Sequence, residues 1–178
     1  MRFVITGEWT RNRLLQTIVV LYSAYVGLLW ITNALLYFQK MSLAPASVVA
    51  YYLGNEEQFL LPRTYQGLLE VAHFHLFAIG MLLLVLTHLM LFIPARQGLK
   101  AWLIALPFVS GIISESGGWL VRFVSPHFAL VKIGGFLLLQ TSLLVLVLVS
   151  LWATFTPEQA VNYIGPLDDE DDEDDELD

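Results

Sequence analysis

With 57% hydrophobic residues and a mean hydropathy of +0.66, the 178-residue chain is too apolar for an ordinary soluble domain. It has no cysteine, which excludes disulfides, thiolate metal sites and thioether-linked haem within this chain. The net charge of −7 describes the tail and not the body: ten of the sixteen acids lie in Asp168–Asp178, leaving nine basic residues against six acids, a net of +3.

Four apolar runs carry the hydropathy: Leu14–Tyr37, Leu68–Ile93, Ala101–Val121 and Phe128–Trp152. Each is long enough, at ~1.5 Å per helical residue, to cross a hydrocarbon core of ~30 Å. Lipid offers the backbone no hydrogen bonds, so each run is expected to be a helix. The first follows Arg2, Arg11 and Arg13. It is too long for a cleaved signal and lacks a small-residue cleavage site, so it reads as a retained anchor.

The longest connection, Gln39 to Gln66, holds two prolines and apolar patches. It is expected to form a short interfacial helix or cap over the outer face. Arg96 and Lys100 sit in the short loop between the second and third runs, and the fourth opens after Ser125, Pro126 and His127. The few residues joining the third and fourth make them antiparallel neighbours.

The expected fold is all-α, an integral membrane four-helix bundle over residues 1–156 with an outer-loop interfacial segment. A cytoplasmic acidic tail follows over residues 157–178, disordered by self-repulsion unless it docks on a basic partner surface. Five basic residues on the side of the termini against four on the other favour both termini in the cytoplasm. Membrane lipid and other membrane subunits are the expected neighbours, and nucleic acid is not.

The second run is "GLLEVAHFHLFAIGMLLLVLTHLMLF", and it carries Glu70, His73, His75 and His88. Ionisable groups inside a span are costly and mark candidate sites. His73 and His75 are two residues apart, ~200° around a helix, so they address different neighbours. With the expected topology they share the outer third with Glu115, Arg122, His127 and Lys132. One or two haems b suit this pattern: His73 and/or His75 as axial ligands, His127 as the opposing ligand, Arg122 and Lys132 on the propionates. Glu115 is then a hydrogen-bond acceptor behind a ligand, or a proton carrier. Gly80, Gly117, Gly118, Gly134 and Gly135 would open the slot. His88 lies thirteen residues from His75, ~20 Å along the axis, and could serve a second haem with a ligand from another chain. Other readings of the same residues stay open. The histidines can hydrogen-bond across helices, or His73, Glu115 and His127 can hold copper or zinc.

At "VAHFH", Val71 to His75, the sequence resembles the helix of haem–copper oxidase subunit I that carries two haems, and "HLMLFIP" is similar to the end of that helix. The resemblance implies that His73 and His75 are axial ligands of two haems on opposite flanks. The chain lacks that family's copper-ligand histidine pair and cross-linked tyrosine motif, so oxygen reduction is not implied. More widely, "VAHFHLFAIG", "SESGGWLVRF" and "FALVKIGGFLLLQTSLLVLVLVSLW" resemble a family of bacterial four-helix inner-membrane proteins. That resemblance implies a shared set of His73, His75, Glu115, Gly117, Trp119, Gly134 and Gly135. It also points to respiratory electron transfer, with any covalent haem on a partner.

The expectation is therefore a membrane b-type cytochrome-like subunit passing electrons between the quinol pool and a redox partner, possibilities including a periplasmic c-type cytochrome. The alternative is a cofactor-free accessory subunit of a larger respiratory or photosynthetic complex.

Overall fold

A computed structural model describes residues 13–93 and 95–156 of the chain. Arg2, Arg11 and the acidic tail lie outside the described residues. The described part is all-helical: α1 (Arg13–Lys40), α2 (Pro45–Leu53), α3 (Tyr65–Leu89), α4 (Gln97–Phe123) and α5 (Ala129–Phe155). Short 3-10 turns extend α3 through Met90–Phe92 and precede α5 at Pro126–Phe128.

Among the described residues, four helices are long and apolar enough to cross a membrane, spanning Arg13–Lys40, Tyr65–Phe92, Gln97–Phe123 and Pro126–Phe155. Three of them contain an expected apolar run and overshoot it by a few residues at each end, and the second starts three residues before its run and stops one residue short of Ile93. The added ends hold Arg13, Lys40, Tyr65 and Gln97, which suit the headgroup region rather than hydrocarbon. The protein is a multi-pass membrane protein. The side chain of Gln16, near the start of α1, donates to the carbonyl of Thr154, near the end of α5, at 3.4 Å. Both ends of the bundle's chain path therefore lie on one side, as four crossings require.

The opposite side carries α2, and serves below as the α2 side. Pro45 begins this helix, where its missing N–H costs nothing. Val48 and Tyr52 bury themselves against α4 and α5, so the expected cap over the bundle is present. Gly54 ends it with φ +87°, and a Cβ there would lie 2.7 Å from the Leu60 carbonyl oxygen, so only glycine fits the turn. Thr64 then caps α3, its Oγ1 accepting from the Gly67 N–H at 3.1 Å.

The central pair is α4 and α5, joined by a short turn and packed along their length. On α4 the buried stripe is built of small residues, Ser110, Gly111, Ser114, Gly117 and Gly118, with Pro107 among them. A Cβ at Gly117 would lie 2.7 Å from the Cα of Lys132, and one at Gly135 would lie 2.7 Å from the amide nitrogen of Ser114. These glycines let two backbones touch, which is how small residues tighten helix pairs in lipid. This corrects the expected haem slot. Gly117 and Gly135 are filled by the opposing backbone, and Gly118 by the Tyr52 ring, whose hydroxyl would be 2.6 Å from an added Cβ. At Gly80 and Gly134 an added Cβ would meet nothing within 4 Å.

α1 leans on α5 through a polar clasp. Trp30 Nε1 donates to the Gln140 carbonyl at 2.8 Å, Gln140 Nε2 to the Trp30 carbonyl at 3.3 Å, and Asn33 Nδ2 to Gln140 Oε1 at 3.1 Å. α3 packs on α4, and it meets α1 where the Tyr22 hydroxyl donates to the Leu82 carbonyl at 3.2 Å. Apolar side chains fill the two ends: Tyr37, Val48, Tyr52 and Phe136 on the α2 side, and Val26, Leu83, Leu86 and Leu146 away from it.

Candidate functional site

Between α1 and α3, floored by α4 and α5 and roofed by α2 and the segment after it, lies a cavity of about 320 Å³. One face of α3 lines it through Leu68, Val71, His75 and Ile79, positions three or four apart. Glu115 and Ser114 come from α4, Lys132 from α5, Asn33 and Lys40 from α1, and Arg63 from the roof.

The polar centre is a chain of three ionisable side chains from three helices. His75 Nδ1 lies 3.1 Å from Glu115 Oε2, with the imidazole half exposed and the carboxylate largely covered. Lys132 is close enough to Glu115 to interact with it electrostatically, and it donates from Nζ to the Ser114 carbonyl at 2.7 Å. Glu115 thus has a cation and an imidazole as neighbours, which is what an ionisable group in a span requires. Because Nδ1 is engaged, Nε2 is the ring nitrogen left for a further partner. At the roof, the Arg63 guanidinium lies 4.0 Å from the centre of the Tyr51 ring. Burial raises the pKa of the Tyr52 phenol beside it, keeping it neutral.

The other residues singled out from the sequence are placed elsewhere. His73 is exposed on the flank of α3 away from the cavity, its ring edge-on to Phe74 at 5.8 Å. His127 sits in the turn before α5 with Nδ1 3.0 Å from the Ser125 hydroxyl, and it does not line the cavity. Arg122 donates from Nε to the Arg63 carbonyl at 2.8 Å, tying down the roof and leaving Arg63 to face inward. His88 is exposed towards the opposite side, with its ring 5.7 Å from that of Phe92. Among the described residues no three His, Asp or Glu side chains gather as a metal-binding group. The combination of His73, Glu115 and His127 considered for copper or zinc is therefore not brought together. The trio that does converge is His75, Glu115 and Lys132.

Lys40, Arg63 and Asn33 were not singled out by the sequence reading. Lys40 and Arg63 sit at the end of α1 and in the roof, on the same side as the site, and their inward direction depends on how those segments are rotated. Asn33 carries only the weak signal of a polar residue in an apolar run.

No curated protein and no solved structure matches the chain, haem–copper oxidase subunit I included. Residues 42–161, which take in α2 through α5 and the whole His75–Glu115–Lys132 chain, match the Aq_1264_TM family, described as a transmembrane helical domain. With two thirds of its length matched, this protein belongs to that family of transmembrane helical domains.

Proposed function

We propose that this protein is a b-type cytochrome-like electron-transfer subunit of a membrane redox assembly. It holds haem b against α3 near the periplasmic face and passes electrons between the quinol pool and a redox partner such as a periplasmic c-type cytochrome. The observation that carries this reading is the split of the H-x-H pair. At one depth His75 turns inward and is engaged by Glu115, while His73 presents its imidazole to the outside of the bundle. An imidazole facing hydrocarbon is costly, and a partner or ligand seated on that flank removes the cost. His73 would hold the haem together with a residue of a neighbouring subunit. Bound there, haem supplies one-electron transfer at a potential set by its axial ligands and surroundings.

The test is a dithionite-reduced minus oxidised spectrum and a pyridine haemochrome assay on protein purified in mild detergent from its own membranes, with neighbouring subunits retained. The expected result is a b-type α-band that His73→Ala abolishes and His88→Ala leaves in place. A haem-free sample from a haem-replete host, with its partners still attached, overturns the reading.

A second reading is favoured by the burial of the spans. The apolar windows of α1 and α3 are 17% and 22% buried within the chain, against 39% for each of the other two spans. Faces so open suit contact with other subunits, as in a cofactor-free accessory subunit of a respiratory or photosynthetic complex. There His73 would hydrogen-bond to a neighbouring helix. The same purification separates the two, because the accessory subunit would be colourless.

A further inference from the structure

We infer that the groove between α1 and α3 is a quinone site, with the ring lodged beside His75, Glu115 and Lys132 and the isoprenoid tail running out between the two helices into lipid. The inference rests on the quinol-linked reading above for its choice of a redox-active head, and on the groove itself for the rest.

The shape comes first. α1 and α3 meet through Tyr22 and the Leu82 carbonyl, away from the α2 side, and scarcely elsewhere. Towards the α2 side they stand apart and the cavity fills the gap. Its lining residues Leu36 and Val71 are 50% and 44% exposed. They sit on the outer surfaces of membrane-crossing helices, so the mouth opens sideways into the bilayer, while α2 and Arg63 cover the end that faces water. A ligand entering there is lipid-soluble. At about 320 Å³ the cavity is at the small end of the ~300–1,000 Å³ usual for ligand pockets. That suits a one- or two-ring head with its tail outside.

The chemistry comes next. A quinone ring offers carbonyl acceptors and its quinol offers hydroxyl donors, so its site needs groups that can do both. His75 has Nε2 free, Glu115 accepts, and Lys132 has donors beyond the one spent on Ser114. A phospholipid headgroup is the competing occupant, and depth argues against it. Glu115 lies eight residues before the end of α4, roughly 12 Å along the axis, whereas Lys40 and Arg63 stand at the rim. A phosphate would stay with the rim cations, away from the Glu115 carboxylate.

The experiment uses the full chain in lipid nanodiscs, titrated with a ubiquinone carrying two isoprene units. Quenching of tryptophan emission is the readout, and Trp119 lines the cavity. Saturable quenching is expected, with the dissociation constant raised at least tenfold by His75→Ala or Glu115→Gln. Val71→Trp plugs the mouth at an exposed position, where folding is spared, and should remove the saturable phase. Quenching that rises linearly with quinone in wild type and Val71→Trp alike overturns the inference, as does competition by phosphatidylglycerol. A visible spectrum of the protein purified with its neighbouring subunits retained reports on haem separately. Haem without saturable quinone binding defeats this inference alone, and saturable binding by a haem-free protein defeats only the haem reading.

Discussion

His75 and Glu115 join α3 to α4 through one hydrogen bond of 3.1 Å between Nδ1 and Oε2, on the wall of the cavity between α1 and α3. α3 is otherwise held mainly by apolar packing on α4, so this bond sets its rotation at the α2 side. A double-mutant cycle between His75→Ala and Glu115→Ala, read by unfolding in mixed micelles, should give a coupling of about 0.6–2 kcal/mol, the usual size for side-chain bonds between membrane helices. Strict additivity of the two variants would mean that the pair contributes nothing to α3.

The glycines of α4 and α5 should divide by what faces them. Gly135→Ala and Gly117→Ala put a Cβ against opposing backbone, and forcing extra volume into a packed core costs about 1–3 kcal/mol. Gly134→Ala meets open space and should leave stability unchanged or slightly raised. Thermal melting in detergent decides it, and equal melting of the Gly135 and Gly134 variants would refute the close contact.

The clasp of α1 on α5 should show the asymmetry of half-satisfied polar pairs. Gln140→Leu leaves Asn33 without its acceptor and should destabilise by about 1–2 kcal/mol. Adding Asn33→Leu should recover much of that loss, because both polar ends are then gone. The measurement is protease sensitivity of the α1–α2 connection. A double variant that is worse than Gln140→Leu would show that Asn33 has another role.

Alkaline stability should depend on Tyr52. Burial raises its phenol pKa from the ordinary value of 10.0, so above about pH 10 the unfolded chain releases a proton that the folded chain keeps. The unfolded state then binds fewer protons, and the slope of stability with pH is negative. The contribution is fully present below pH 10 and is lost as pH climbs towards the folded value. Tyr52→Phe should melt like wild type at pH 8 and lose less between pH 9 and 11. Parallel losses in the two proteins would place Tyr52 in contact with water.

The spans, their number and the cap over one end were legible in the sequence because each answers to a one-dimensional rule. Hydrocarbon demands about 20 apolar residues and closed backbone hydrogen bonds, and Pro45 and Gly54 punctuate α2. The depth of each ionisable residue follows from the same count, and it put His73, His75, Glu115, Arg122, His127 and Lys132 near one surface. Depth leaves rotation open. Whether His73 or His75 faces the bundle, whether Arg122 or Arg63 faces the cavity, and whether Gly117 and Gly135 widen a slot or close it are settled by packing. The close approach of α4 and α5 across their small residues positions Glu115 and Lys132 together. The rotation of α3 on α4 then turns His75 into the cavity and His73 out. A helix of this hydropathy is stable in lipid at any rotation, so only contacts between helices could make that choice.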